Sequence, residues 1–216
     1  MRTYRQYCGL ARALDLVGDR WTLLIVRELL ILGPSRYTDL RNGLPGIATN
    51  LLVDRLRELE NAGLVEREQA APPVATALFR LTSRGAALEP VIQALGAWAG
   101  PTLGRWEPGE EFRSHWLALP LELHLVDGAP KRPPVTIEVR TGDRPIVIET
   151  TGGRVRVRPG SAASADAVVT GPPDLVLAVL LGRMPLNTAR RHGVRFEGDE
   201  RALRRVRPLP ATPHAP

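Results

Sequence analysis

The chain has 216 residues, which is enough for one large domain or for two domains of about 100 residues each. Hydrophobic residues make up 44% of it, so it can bury a core, and a globally disordered chain is excluded. Charges interrupt the N-terminal segment, and the apolar runs are far shorter than the roughly 20 residues of a membrane-spanning helix. The single cysteine cannot form an internal disulfide. We therefore expect a cytoplasmic protein with no signal peptide and no membrane segment.

The net charge of +6 is unevenly distributed along the chain. Residues 1–110 contain 13 basic and 12 acidic residues, whereas residues 111–216 contain 16 basic and 11 acidic residues. A basic protein favours an acidic partner such as nucleic acid. Because most of the excess lies in the second half, charge alone points away from the half in which the other signals for DNA binding occur.

The first half of the chain predicts short helices separated by strong stop signals. Asp19 and Ser35 are good N-caps, Gly33-Pro34 ends one helix, and Gly63 ends another. The predicted helices span residues 10–17, 20–32, 36–42 and 48–62. The last two are joined by the tight turn 44–46, which is the pattern of a helix-turn-helix.

A predicted hairpin follows the helix-turn-helix directly. Its strands are residues 64–68 and 77–81, and Thr82 then caps a long helix over residues 83–100. A hairpin in this position is typical of a wing. We therefore predict a mainly α winged helix-turn-helix domain over residues 1–104.

The second helix of the motif has an apolar side and a polar side. At 100° per residue, Leu52, Leu56 and Leu59 form one seam, and Asn50 and Arg57 lie opposite. Asn and Arg can match the hydrogen-bonding pattern of base edges in the major groove. A merely solvated face is the alternative for an isolated helix, but the order of elements favours DNA.

The candidate DNA contacts divide into base readers and phosphate contacts. We expect Thr49, Asn50 and Val53 at the bases and Arg57 at a phosphate. The full set on the two helices and the wing is Arg36, Thr38, Thr49, Asn50, Val53, Asp54, Arg57, Arg67 and Arg80. The wing tip, residues 69–76, has no basic residue, so we expect it to contribute little.

This half also resembles a known family. The matching segments are GDRWTLLIVREL, RYTDL, PGIATNLLVDRLRELENAGLV, LTSRG and the cysteine that precedes the first helix. Over about residues 7–98 they resemble the HxlR family of winged-helix regulators. The resemblance implies a transcription regulator, a repressor by expectation, that binds a palindromic operator in double-stranded DNA. It also implies a homodimer built by the N-terminal and final helices. Ala48 stands where the family often has a capping Ser, so Thr49 is expected to cap instead.

Cys8 has two interpretations. In several HxlR regulators a cysteine at this place senses oxidants or electrophiles, and the resemblance extends that role to Cys8. The alternative is a small apolar residue packed at a dimer interface, as free cysteines often are. Reactivity requires basic neighbours, and only Arg5 and Arg12 are near in sequence.

The second half predicts an α+β domain over residues 110–207, followed by a flexible tail over residues 208–216. Three alternating segments predict antiparallel strands with one buried face, and a fourth strand follows them. These strands are residues 135–140, 145–150, 154–158 and 165–170. Helices over residues 173–181 and 186–192, a short strand at 194–196 and a helix capped by Asp199 complete the domain.

This domain resembles the sterol-carrier-protein-like domain that some HxlR-type regulators carry. The resemblance rests on the strand meander, on DAVVTGPPDLVLAVLLG and on VRFEGDERALRRV. It implies a five-stranded sheet with helices on one side and an apolar tunnel for a hydrophobic small molecule. Candidate wall residues are Trp116, Leu119, Leu123, Val139, Ile148, Val157, Leu177 and Leu181, and ordinary core packing is the alternative for each. Arg154, Arg156 and Arg158 share one strand face, which is expected to be the solvated side of the sheet, with a ligand clamp or a DNA patch as the alternatives.

Two other classes of function compete with DNA-binding regulation. The four histidines have no metal-ligand spacing, and nucleophile, dinucleotide and phosphate-loop motifs do not occur, so we predict no enzyme activity, no metal and no cofactor. The alternative binding function is that of a lipid carrier whose first domain serves only for dimerisation.

Overall fold

The computed structural model describes residues 3–69, 76–107 and 109–209. Most of the predicted wing loop and of the predicted tail therefore lie outside the described residues. The chain divides into two compact units, Met1–Leu95 and Gly96–Pro216. The division falls within the helix Glu89–Ala99, whereas the predicted first domain ends at residue 104 and the predicted second domain begins at residue 110.

The first unit consists of helices and one hairpin in the order that the sequence predicts. Its elements are α1 (Gly9–Val17), α2 (Thr22–Leu32), α3 (Tyr37–Gly43), α4 (Thr49–Asn61), β1 (Val65–Gln69), β2 (Ala77–Leu81), α5 (Ser83–Ala86) and α6 (Glu89–Ala99). The core is apolar and draws on α2, α3, α4 and the hairpin. Its fully buried members include Ile25, Leu40, Leu52, Leu56 and Leu59. Each comes from the apolar side of an amphipathic or wholly apolar helix, as helical periodicity requires.

Two of the predicted helix caps are wrong. The N-cap of α2 is Trp21 rather than Asp19, and Trp21 has a left-handed backbone with φ of 81°. The N-cap of α3 is Arg36, whose N–H donates to the Asp39 carboxylate at 3.1 Å. Asp19 and Ser35 are instead used in contacts between elements, which local cap preferences do not anticipate.

Ser35 adds a third backbone segment to the wing. Its N–H donates to the Phe79 carbonyl at 2.9 Å, and the Phe79 N–H donates to the Ser35 carbonyl at 2.8 Å. This isolated bridge places the residue before α3 beside β2, and β1 pairs with β2 in antiparallel register. The hairpin is thereby held against the helix-turn-helix by backbone hydrogen bonds.

The predicted long helix after the wing is interrupted. Thr82 caps α5 as expected, because its hydroxyl accepts from the Gly85 N–H at 3.1 Å. The helix then stops at Ala87 and Leu88 and restarts as α6. Pro90 explains the break, because it has no N–H to donate to the carbonyl four residues earlier and its ring would clash with that carbonyl in a continuous helix.

The second unit is built on a mixed seven-stranded sheet. Its elements, after 3₁₀ turns at Gly100–Thr102 and Ser114–Leu117, are α7 (Ala118–His124), β3 (Leu125–Asp127), β4 (Thr136–Arg140), β5 (Ile146–Thr151), β6 (Arg154–Pro159), β7 (Ala167–Thr170), α8 (Pro173–Leu180), α9 (Leu186–Arg191), β8 (Arg195–Gly198), α10 (Glu200–Arg205) and β9 (Val206–Pro208). The strand order is β8-β7-β4-β5-β6-β3-β9. The β4, β5 and β6 meander is antiparallel as predicted, and β7 returns parallel to β4.

The expectation of five strands is therefore wrong. The unpredicted strands β3 and β9 have three residues each and pair with each other, Val126 facing Arg207. Strands this short are below the length at which alternation is readable. Their pairing joins residues about 80 positions apart, which no local pattern indicates.

A buried ion pair closes this end of the sheet. Arg205 donates to both carboxylate oxygens of Asp127, at 2.7 and 3.0 Å, and the two side chains are 8% and 0% exposed. The same guanidinium donates to the carbonyls of Arg132 and Pro133. The Arg205 hydrogen bonds hold the pKa of Asp127 below its usual value, and Asp127 raises that of Arg205.

Candidate DNA-binding surface

Helix α4 separates a buried seam from an exposed polar face. Leu52, Leu56 and Leu59 are at most 2% exposed. On the other side Thr49, Asn50, Asp54 and Arg57 are exposed and Val53 is half-buried. The predicted base readers thus share one solvent-facing side of a helix whose other side is anchored in the core.

The first turn of α4 is connected to the first turn of α3. The Tyr37 hydroxyl donates to the Thr49 carbonyl at 2.9 Å. Arg36 and Thr38 flank Tyr37 and are both exposed. The hydrogen bond therefore brings the predicted contacts of α3 close to the predicted base readers at the start of α4.

The expected capping role of Thr49 is not observed. Ala48 is the N-cap residue, with φ of −70° and ψ of 141°, and no side chain caps the helix. The Asn50 side-chain oxygen accepts from the Leu51 N–H at 3.0 Å. This hydrogen bond orients the side-chain amide of Asn50, including its NH₂ group. In the first turn of α4, the N–H groups of Thr49 and Asn50 have no acceptor among the described residues, and a phosphate can accept from them.

A buried charge pair fixes the end of α3 against α2. Glu28 is fully buried, and its carboxylate accepts from Arg27 at 2.6 and 3.0 Å. Burial lowers the pKa of the Arg27 guanidinium, and Glu28 opposes that effect. A β-carbon at Gly43 would lie 2.7 Å from the Glu28 carboxylate carbon, so a larger residue at the end of α3 would force the buried Glu28 side chain to move. The turn into α4 starts from this fixed point.

A second ion-pair cluster ties α4 to the loop before α2. Arg55 lies between the carboxylates of Asp19 and Glu58 and is 19% exposed. Trp21 from the same loop lies close to Gly46 in the turn between α3 and α4. Arg55 was not predicted from the sequence to be a positioning residue, although its spacing from Glu58 is that of helical ion pairs.

The basic side chains of this surface are only weakly paired with carboxylates. Arg57 is 65% exposed, and its closest carboxylate is Asp54 at 3.7 Å. Arg41 is exposed on the same side of α3 as Thr38, three residues away, and was missed by the sequence analysis. The repeated arginines of RYTDLRNG are the signal that could have indicated it. Side chains paired so weakly can exchange their partners for phosphate at little cost.

The two predicted wing contacts point to opposite faces of the hairpin. Arg67 faces Phe79 in the register, and its guanidinium lies 5.0 Å from the centre of that ring and 2.7 Å from Glu60. Arg80 faces Glu66 and pairs with Glu66 at 2.8 Å. Residues paired across the hairpin share a face, and consecutive residues of one strand alternate between the two faces. Arg67 therefore lies on one face and Arg80, paired with Glu66, on the other. The two arginines cannot both contact the same DNA backbone in the same way.

Exposed apolar side chains follow α1 and α6. Tyr7, which precedes α1, is fully exposed, and Leu10 and Leu14 follow it at helical spacing. Helix α6 has no buried residue, and Trp98 is 82% exposed. Cys8, the N-cap of α1, is exposed beside Tyr7. Apolar surfaces of this kind mark sites of association.

The predicted tunnel residues of the second unit are distributed between its core and its half-buried layer. Val139, Ile148, Val157 and Leu119 are buried, the first three on one face of the sheet. The half-buried members are Trp116, Leu123, Leu177 and Leu181. On α8 the most buried side chains are instead Val176, Val179 and Leu180.

Two open clefts of the second unit are lined by other residues. One has a volume of about 460 Å³ and includes Trp106, Phe112 and Pro172, and a neighbouring one of about 370 Å³ includes Arg140 and Thr141. They share Asp143, whose pKa is raised by burial but lowered overall by hydrogen bonds from Ser114. Neither cleft contains any of the eight predicted wall residues.

Across residues 3–69, 76–107 and 109–209, no group of three or more histidine, cysteine or acidic side chains is placed to hold a metal ion. Within the same ranges, none of the helices has the length and apolarity needed to cross a bilayer.

Comparison with known proteins identifies relatives of the first unit. The family model of the HxlR-like helix-turn-helix matches residues 16–106. The transcriptional regulator YodB of Bacillus subtilis is 36% identical over 98 residues, which are 45% of this chain and 84% of YodB. The uncharacterised regulator Rv3095 of Mycobacterium tuberculosis is 39% identical over 108 residues, 50% of this chain and 67% of that protein. The solved structure of reduced YodB covers 49% of this chain and 100% of its own, at 34% identity and a TM-score of 0.40.

The match to YodB covers 84% of that regulator, and the residues matched by the family model include the helix-turn-helix and the wing described above. The chain therefore belongs to the HxlR-like helix-turn-helix family of DNA-binding transcription regulators.

Proposed function

We propose that the protein is a dimeric repressor that reads a palindromic operator with the first two turns of α4. The observation that carries this proposal is the exposed face of Thr49, Asn50, Val53 and Arg57 on a helix anchored by three buried leucines. In a helix-turn-helix the N-terminal turns of the second helix enter the major groove, where Asn can bind adenine through two hydrogen bonds.

Two substitutions on α4 test the proposal because their effects differ in kind. Asn50→Ala should weaken binding to the operator by about 1–3 kcal/mol and change binding to random DNA little. Arg57→Ala should weaken binding to all sequences and flatten the salt dependence by about one unit. Mobility shifts with the promoter of the protein's own gene, at several salt concentrations, measure both.

Asn61→Ala is the matched control, because Asn61 is exposed at the far end of α4. It should bind the operator like the wild type. Full operator affinity of the Asn50 and Arg57 variants would refute the assignment of α4. Repression is tested separately: deletion of the gene should raise transcription from the bound promoter, and a fall would indicate activation.

The dimer is supported by the apolar side chains left exposed on α1 and α6. Burying Tyr7, Leu10, Val91, Leu95 and Trp98 between two copies would remove large apolar areas from water. Two recognition helices must lie about 34 Å apart to enter successive major grooves. Sedimentation should give a dimer for the wild type and a weakened dimer for Trp98→Ser, and an unchanged mass would contradict this arrangement.

Cys8 is proposed as the site at which oxidants or electrophiles regulate binding. Its exposure at the start of α1, beside the apolar side chains that we assign to the dimer, favours this role. Diamide should then change operator affinity of the wild type but not of Cys8→Ser. An equal response of both proteins would leave Cys8 as a packing residue.

The second unit is proposed to be a sterol-carrier-like sensor of a hydrophobic small molecule. Two observations support this proposal: Trp116, Leu123, Leu177 and Leu181 are half-buried, and one face of the sheet is lined by buried apolar side chains. A ligand that prefers one dimer arrangement would shift operator affinity through α6, typically 5- to 150-fold. Operator affinity should be titrated against lipids and aromatic metabolites, with Leu177→Trp as a variant that fills the site. If no compound shifts the wild type, the sensor role is refuted while DNA binding stands.

A further inference from the structure

The excess positive charge of the second unit is concentrated at one edge of its sheet. Strands β6 and β9 flank the short strand β3, with Val126 facing Arg154 on one side and Arg207 on the other. Neighbours in a register lie on the same face of a sheet. The basic side chains of this edge, here called the arginine edge, are Lys131, Arg132, Arg154, Arg156, Arg158 and Arg207.

All six of these side chains belong to exposed residues. Residues 154, 156 and 158 alternate with the buried Val155 and Val157, so the three arginines form a row on one face of β6. At roughly 3.3 Å per residue the row is about 13 Å long. Lys131 and Arg132 lie on the loop that the Arg205 guanidinium holds against β9 through the Arg132 carbonyl.

Few carboxylates neutralise the edge. Glu149 pairs with Arg158 at 2.9 Å, and Glu122 pairs with Arg156 at 3.6 Å. Asp127 is buried and already forms an ion pair with Arg205. Six basic side chains therefore face two carboxylates, which accounts for most of the basic excess of residues 111–216. Among the described residues, no ion pair involves Arg154 or Arg207.

We propose that the arginine edge is a second DNA-binding surface, which contacts the phosphate backbone outside the operator without reading sequence. The inference rests on the proposed function of α4, because it requires DNA to be held by the first unit. Covalent linkage then presents the second unit to the same polyanion at a high effective concentration, so weak contacts suffice. DNA carries one charge per 3.4 Å of each strand, so a row of about 13 Å matches roughly four phosphates.

The surface is built for phosphate rather than for bases. These arginines lie along the face of a sheet and not on a helix or a two-stranded ribbon that could enter the major groove. Arginine is the residue that binds phosphate oxygens with two parallel hydrogen bonds. Contacts of this kind add affinity and salt dependence but no sequence preference.

Binding of the full-length protein to two duplexes tests the proposal. One duplex contains only the operator, and the other carries about 20 additional base pairs of arbitrary sequence on each side. The wild type should bind the longer duplex more tightly and with a steeper salt dependence. The triple variant Arg154→Gln, Arg156→Gln, Arg207→Gln should lose this gain, with a salt slope reduced by about two to three units, and should bind the short duplex like the wild type.

A control variant with the same net charge tests whether the gain depends on the arginine edge or only on the total charge of the protein. Arg191, Arg195 and Arg201 are exposed arginines without ion pairs in the described residues, and Arg195 lies on β8 at the opposite edge of the sheet. Their triple change to Gln should leave the gain intact. Equal losses in the two triple variants would overturn the proposal.

Three further outcomes are also decisive. If the wild type does not bind the short duplex, the proposed operator binding fails. If it binds the short duplex and the added DNA changes nothing, only the arginine edge fails. Loss of binding by the edge variant to vesicles with anionic lipid, with unchanged binding to the long duplex, would assign the edge to a membrane surface and overturn the proposal.

Discussion

The two units of this protein contrast in how their stabilising contacts relate to the order of the sequence. In the first unit, consecutive helices each bury an apolar face, and Leu52, Leu56 and Leu59 all lie on one face of α4. In the second unit, the sheet is completed by β3 and β9, which pair over a long sequence separation. Local periodicity is therefore a sufficient guide to the first unit and an incomplete one to the second.

The units also differ in what they do with charge. The first unit has little net charge, and its arginines are divided between ion pairs such as Arg55 with Asp19 and exposed positions such as Arg57. The second unit buries one ion pair and leaves a row of arginines on its surface. Net charge thus indicates neither where DNA is read nor which arginines are available to bind it.

The largest expected effect comes from removing core volume in either unit. Leu52→Ala should lower the free energy of unfolding of the first unit by about 2–5 kcal/mol, and Ile148→Ala should do the same in the second, because both side chains are fully buried. Urea denaturation followed by hydrogen exchange resolves the two units. If both variants shift one common transition equally, the units do not unfold separately and the contrast between them is lost.

Loss of the Asp127 charge should affect the second unit and depend on pH. Because the pKa of Asp127 is lowered in the folded state, the folded protein binds fewer protons than the unfolded chain. This contribution is present above about pH 4 and is lost as pH falls through the folded pKa. Asp127→Asn should destabilise the second unit at neutral pH, since Arg205 keeps no counter-charge there, and its stability should change less between pH 6 and pH 3 than that of the wild type.

Urea midpoints measured across that pH range test the role of the pair. Glu197→Gln is the control, because Glu197 is exposed on β8 and has no ion pair in the described residues. It should keep the wild-type pH dependence. A parallel pH dependence of Asp127→Asn and the wild type would show that the pair does not govern acid stability.

Gly43→Ala should disturb the connection between α2 and α3. The added methyl group would meet the Glu28 carboxylate, which is fully buried and cannot move into solvent. Overpacking of this kind typically costs about 1–3 kcal/mol. Operator affinity should fall as well, since the turn into α4 begins there. Gly9→Ala, with no atom near its added methyl group, should leave stability and operator binding close to those of the wild type.

The smallest expected effect is a gain. Ala48 has the extended backbone of an N-cap but no side-chain oxygen, so Ala48→Ser should stabilise the first unit by about 1 kcal/mol. Thermal unfolding of the variant should shift upward. Ala62→Ser at the other end of α4 should bring no such gain, because capping by serine is specific to helix N-termini. A lower transition temperature for Ala48→Ser would contradict the expected capping gain.

The sequence predicted the elements of both units more reliably than the contacts between them. Gly33 and Gly63 end helices as expected, because stop signals act within a few residues. Asp19, by contrast, is a residue type that often caps helices, yet its carboxylate pairs with Arg55 of α4. The N-cap of α2 is Trp21 instead. A cap and an ion pair compete for the same carboxylate, and only the approach of α4 decides between them.

Part of the candidate site could likewise be predicted from the sequence, and part depends on the tertiary structure. The polar face of α4 follows from a spacing of 100° per residue, so Thr49, Asn50 and Arg57 could be identified from the chain alone. That Arg67 and Arg80 lie on opposite faces of the wing depends on the register of β1 with β2. Register is set by pairing across the hairpin, and a shift of one residue would bring the two arginines onto the same face.

Taken by itself, the sequence determined the helix-turn-helix, the meander of β4 to β6 and the polarity of each helix face, because turn residues and periodicity act locally. Only the tertiary structure decided the Ser35 bridge to the wing, the β3 and β9 edge and the pairing of Arg205 with Asp127. These contacts join residues tens of positions apart. Their stability depends on removing backbone donors and charges from water together, which no short segment of the chain can do.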